Sequence, residues 1–185
     1  MQSLNKAESG ITLIELLIVI AIVCVLSSIA LPAFGSLVQS GHARSARSAL
    51  TVSISQARSS AVMRRQYVAV CPSADQIRCD RSLKWHHGWL VFVDADNNGE
   101  RDTDEDIVGA SQALDAGIAI VSTRGRYRIR YQADGSSDGS NLTLTVCDRR
   151  GAASASTLVM NNSGRLRSGK PSAAQAAVAC AAIGT

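Results

Sequence analysis

Glu15 is the only Asp, Glu, Lys or Arg between Gly10 and Arg44. It sits in a run from Ile11 to Leu31 that is otherwise apolar except for Thr12, Ser27 and Ser28. A carboxylate at such a depth in a bilayer costs about 2.5–3.5 kcal/mol or more, so a positive partner is expected for it. A plain membrane anchor with a stray acid is the bland alternative. Farther along, Arg124, Arg126, Arg128, Arg130, Arg149, Arg150, Arg165, Arg167 and Lys170 lie among only three acids, Asp134, Asp138 and Asp148. Guanidinium forks suit phosphate oxygens. Alternation from Arg124 to Arg130 predicts four arginines on one face of a strand, and Arg165 and Arg167 repeat the spacing. Arg126, Arg128, Arg149, Arg150, Arg165, Arg167 and Lys170 are therefore candidate contacts to duplex DNA. No base-reading pattern accompanies them, so binding would be independent of sequence. A solvated strand face, or one turned to an acidic neighbouring subunit, would carry the same residues.

The acidic counterpart runs from Asp94 to Asp106. Asp94, Asp96, Asn98, Gly99 and Glu105 satisfy the calcium-loop pattern D-x-D-x-N-G-x5-E. The context opposes it: a strand leads into the segment, no helix flanks it, and Arg101 stands where an aliphatic residue is usual. A solvated acidic turn without a cofactor is the expectation. Calcium on Asp94, Asp96, Asn98 and Glu105, or an acidic docking surface, are the alternatives. His86 and His87 are adjacent and His42 stands apart, so no metal-ligand spacing is expected. No nucleophile–base arrangement is discernible, which argues against an enzyme.

Cys24 falls within the apolar run. The remaining cysteines, Cys71, Cys79, Cys147 and Cys180, permit three pairings of two disulfides. Cys71–Cys79 would close a short local loop and Cys147–Cys180 would tie the C-terminal segment to a strand. Those are the pairs we expect.

These residues need elements to hold them. The chain has 185 residues, a net charge of +4 and only 4% aromatics, which suits one domain plus an anchor. At 1.5 Å per residue the run 11–31 is long enough to span a bilayer. Beyond Pro32, Ala43, Ala46, Leu50, Ile54, Ala57 and Ala61 recur at helical spacing, with Arg44, Arg47, Thr51, Ser55 and Arg58 one residue later. This predicts a helix from about Thr12 to about Arg65, apolar and then amphipathic. Strands are predicted at Tyr67–Cys71, Trp89–Asp94, Ile118–Ser122, Arg126–Tyr131, Leu142–Cys147 and Thr157–Met160. The expected fold is α+β: a long N-terminal helix packed on an antiparallel sheet.

The leader is unusual. Its small residue, Gly10, precedes the apolar run, so cleavage there would leave the helix on the mature chain. This pattern resembles the leader of type IV pilins and type II secretion pseudopilins. The resemblance implies cleavage after Gly10 by a prepilin peptidase, methylation of Ile11, and an assembly role for Glu15 at the fifth mature position. Ile11 departs from the commoner Phe. In the remainder, Tyr67–Cys71 with Pro72, Trp85, Gly88-Trp89-Leu90-Val91-Phe92-Val93-Asp94, Cys147 and Ser163-Gly164-Arg165-Leu166-Arg167 resemble the GspH/FimT family of minor pseudopilins. The resemblance implies a pilin fold with a leader (1–10), a membrane helix (11–31), an amphipathic continuation (32–66) and a periplasmic β-rich head (67–185). It implies partners among other pilins and an inner-membrane location before assembly. One branch of that family links Gly-Arg-x-Arg, here Gly164 to Arg167, to DNA binding in natural transformation. A DNA-uptake pilin, a tip-initiating pilin and a secretion pseudopilin all remain open.

Overall fold

The structure is a computed structural model that describes residues 12–137, 139 and 141–185. It divides into two compact units, residues 1–38 and residues 39–185. Helix α1 is Leu13–Arg64. The Thr12 hydroxyl caps its start by accepting the Glu15 backbone N–H at 3.3 Å. The helix continues through position 32 without a break in the assignment. It stops where Arg65 takes a left-handed φ of 56° and the Gln66 N–H reaches back to the Ala61 carbonyl. In the first unit, the apolar side chains along α1 are exposed, from Leu13 at 77% to Leu31 at 71%. By length and composition the segment suffices to cross a membrane.

Among the described residues, the second unit holds eight strands: β1 Val68–Pro72, β2 Trp89–Val93, β3 Ile107–Ser111, β4 Ile118–Ser122, β5 Ile129–Tyr131, β6 Leu142–Asp148, β7 Ser156–Met160 and β8 Leu166–Gly169. They form two four-stranded antiparallel sheets, β3-β2-β1-β5 and β4-β6-β7-β8. A second helix, α2, is Ala173–Ala181.

Ala46, Leu50, Ile54, Ala57 and Ala61 of α1 form one buried stripe at helical spacing. They share a core with Val68 and Val70 of β1, Val91 of β2, Ile120 of β4, Ile129 of β5 and Leu144 of β6. One helix thus packs on both sheets. Each buried Leu or Ile of the stripe contributes about 1.5–3 kcal/mol. The alternate residues of the strands face the other way. Ala69, Cys71, Leu90 and Phe92 form a second cluster that Cys79 covers. Val121 and Cys147 form a third with Ala176 and Ala179 of α2. With both faces covered, β1 and β2 are buried along their full length.

Cys71–Cys79 and Cys147–Cys180 are the bridged pairs, with Cα separations of 5.5 and 5.2 Å. The first holds the β1–β2 connection against the second cluster. The second fastens α2 to β6. Ser172 starts α2 with a capping box: its hydroxyl accepts the Gln175 N–H, and the Gln175 side chain accepts the Ser172 N–H.

Several expectations need correction. Strands β3 and β8 carry no clean apolar alternation, being an exposed edge in each sheet. The strand expected at 126–131 begins only at Ile129. Gly125, at φ +77°, and the Arg126 N–H to Thr123 carbonyl bond turn the chain there instead. The Ala-rich C-terminal segment is helical, which helix propensity favours.

Candidate functional site

The arginines expected on one strand face do not form one row. Arg130 is the only one of the four within β5. Arg126 donates to the Gly139 carbonyl at 2.6 Å. Arg128 donates to the Gly99 carbonyl at 2.7 Å and stands 3.6 Å from Glu100. Arg130 donates to the Asn97 side-chain oxygen at 2.9 Å. Arg128 and Arg130 therefore anchor the 94–106 loop. Arg150 is committed too, with Nε and Nη2 on the two oxygens of Asp148 at 3.0 and 2.8 Å. Arg149 and Lys170 are exposed.

A different set of arginines converges. Two adjoining grooves run between α1 and β8 with its preceding turn. One, of about 280 Å³, is lined by Arg44 and Arg47 of α1 and Arg167 of β8. The other, of about 420 Å³, is lined by Arg58 of α1 and by Arg165. Thr51 and Leu166 line both, so the two are neighbours. The helical polar stripe presents Arg44, Arg47 and Arg58 from one wall. The β7–β8 hairpin presents Arg165 and Arg167 from the other. None of the lining residues is acidic. Among the described residues, no carboxylate lies within 4 Å of these five guanidinium groups.

Gly164 builds this geometry. Its φ is +72°, and a Cβ there would meet the Gly135 carbonyl oxygen and the Tyr131 ring, each at 2.7 Å. The Gly164 carbonyl accepts from the Tyr131 hydroxyl at 3.2 Å and from Arg58 at 3.4 Å. Burial pushes the Tyr131 phenol up to about 12, so it remains a donor. Asn161 closes the turn by accepting the Arg165 N–H on its side-chain oxygen at 3.0 Å. The glycine is thus a backbone requirement that sets Arg165 and Arg167 beside the helix.

Arg44, Arg47 and Arg58 bear a polar-stripe signature in the sequence. Nothing local ties them to Arg165 and Arg167, more than a hundred positions on. Glu15 lies in the first turn of α1, near the Thr12 hydroxyl at 3.5 Å. Gly10 and Ile11 lie outside the described residues.

An apolar N-terminal helix that continues into a head of antiparallel strands defines a pilin-like subunit. Residues 46–164 match the family described as type II transport protein GspH, and residues 5–31 match the prokaryotic N-terminal methylation motif. The chain belongs to the GspH family. Its members are structural pilins rather than enzymes. Two solved structures are similar. The type IV minor pilin FimU of Pseudomonas aeruginosa (strain PAO1) is 16% identical, over 79% of this chain and 97% of that one, with a TM-score of 0.56. The minor pseudopilin EpsH from the type 2 secretion system of Vibrio cholerae is 13% identical, over 70% and 98%, with a TM-score of 0.50. At these identities the likeness is one of fold. No curated protein sequence matches. The methylation motif and apolar helix fit anchoring in the inner membrane and recognition by a prepilin peptidase.

Proposed function

We propose that this minor pilin binds duplex DNA, without sequence preference, in the groove between α1 and β8. The carrying observation is the convergence of Arg44, Arg47, Arg58, Arg165 and Arg167 without an acid in the lining. Asp134 feels the charge of Arg58 only weakly. Its carboxyl is held below the ordinary value chiefly by the Ser136 backbone N–H, and Arg58 contributes least. A strip of guanidinium groups on two walls matches a phosphate backbone and carries no base-reading geometry. The head would face the periplasm, where incoming DNA is met. Glu15 would neutralise the N-terminal amine of an adjacent subunit after cleavage, which offsets the cost of its burial in the assembled filament.

Fluorescence anisotropy with labelled duplexes tests this on the full chain in detergent. Each phosphate neutralised contributes about −0.9 to the slope of log affinity against log salt, so five contacts give about −4 to −5. Replacing Arg165 and Arg167 with Gln should shrink that slope by about 2. Replacing Arg44 and Arg47 should do the same. Absence of binding at low salt, or full binding by both double variants, rejects the groove as a DNA site.

A further inference from the structure

Most of the acidic loop is exposed, as its composition predicts, but Asp94 and Glu105 are buried within it. Asp94 is fully buried, and its Oδ2 has no partner. Its Oδ1 accepts the Gly99 backbone N–H at 3.1 Å. A buried carboxylate oxygen with nothing on it is costly unless a positive group meets it. The ion pairs of the loop run from its outer acids, Glu100 to Arg81 and Arg128 and Asp106 to Arg64. One oxygen from each of these three carboxylates lies within 4.8 Å of the others. Glu105 is buried and fixed, accepting the backbone N–H groups of Ala95 at 2.7 Å and Asp102 at 3.0 Å.

We propose that this loop binds one calcium ion through Asp94, Asp96, Asn98 and Glu105, with the Glu100 backbone carbonyl as a further ligand. These residues occupy the first, third, fifth, twelfth and seventh steps of a calcium loop, and Gly99, at φ +77°, is its sixth. The missing flanking helices have a substitute. The ends of the loop are clamped by a β-hairpin, in which the Val93 N–H donates to the Asp106 carbonyl at 2.9 Å, and by the Asp94 N–H on the Tyr67 carbonyl at 2.9 Å. Arg101, at the usual aliphatic position, uses Nη2 on the carbonyls of Thr103 and Glu105, at 3.4 and 3.1 Å. The loop 94–106 holds seven acids and one arginine. An all-oxygen set with several carboxylates suits calcium. Magnesium demands a tighter octahedron and keeps its waters.

Full-length protein in detergent, stripped with EDTA, is titrated with calcium chloride or magnesium chloride by calorimetry and then melted. One calcium per chain is expected, with a rise in Tm of at least about 3 °C at saturation. Asp96→Asn changes an exposed residue whose carboxylate bonds only Asn98, and should weaken calcium binding at least about tenfold while lowering the Tm in EDTA less than Glu105→Gln does. Glu105→Gln should abolish binding. No calcium uptake by the unmodified protein overturns the site, as do equal stabilisation by magnesium and unchanged affinity in both variants. Such a result leaves the DNA groove untouched, because none of its five arginines belongs to this loop.

Discussion

Arg128 donates from Nη1 to the Gly99 carbonyl oxygen at 2.7 Å, joining the turn before β5 to the tip of the β2–β3 loop. The same guanidinium lies over the Tyr127 ring at 5.3 Å and 3.6 Å from Glu100. A residue that looks like a polyanion contact in sequence is therefore a structural brace.

Arg128→Gln should cost about 1–2 kcal/mol of stability, since a charge-assisted bond from a half-buried group is lost. Chemical denaturation measures it. Hydrogen exchange should quicken at residues 97–101 while the core strands stay protected. DNA affinity should change less than in the Arg165 and Arg167 double variant.

The alanine stripe of α1 predicts asymmetric responses to size. Ile54→Ala should destabilise by about 2–5 kcal/mol by opening a cavity between the sheets. Ala57→Leu should cost about 1–3 kcal/mol by forcing the sheets away from the helix. Urea midpoints of the two variants check both values.

The bridges should differ in worth. They close segments separated by 8 and 33 positions. Chain entropy makes the longer closure more stabilising by about 1 kcal/mol. Cys147→Ser should lower the melting temperature more than Cys71→Ser, by calorimetry.

Acidification should destabilise the head in two stages. Burial pushes the His86 imidazole below its ordinary value of 6.5, and its Nδ1 accepts the Ile120 N–H at 3.2 Å. A lowered folded value means that stability is present above pH 6.5 and is lost as pH falls below it. Burial pushes the Asp148 carboxyl up, but the Arg150 side chain, backbone N–H and charge together hold it below 3.8. That contribution is present above pH 3.8 and is lost as pH falls further. Melting curves between pH 3 and 8 should show both stages. Asp148→Asn should shrink the second stage and leave the first unchanged, because Asp75 and Asp134 are also held below the ordinary value.

Mass spectrometry of membrane-extracted protein should find a mature chain that starts at methylated Ile11. Glu15→Ala should leave expression and membrane insertion intact but reduce incorporation into filaments, measured in sheared fractions.

Local signals sufficed for much of this fold. The stripe from Ala46 to Ala61 and the apolar runs of β1, β2, β4, β6 and β7 announce themselves by period. The bridged pairs are those that loop length and tail position suggested. What escaped depends on tertiary context. β5 was read too long because Arg-x-Arg alternation imitates a strand, while Gly125 turns the chain. β3 and β8 are edge strands with weak patterns. The groove unites residues 44–58 with 165–167, a relation that no window along the chain contains. In the acidic loop, the calcium-loop spacing was visible, but the burial of Asp94 and Glu105 was not.

The Cys147–Cys180 bond closes a covalent ring through β7, β8 and most of α2, with Arg165 and Arg167 on its arc. A single proteolytic nick at any bond of that arc opens the ring but releases no fragment. The upstream stump stays on β6 through the main chain and the downstream one through the sulfurs. The cut chain keeps its mass without reductant, gaining only a water, and separates into two pieces with it. Damage to this hairpin would thus go unnoticed in ordinary non-reducing electrophoresis, even if phosphate contacts were already lost.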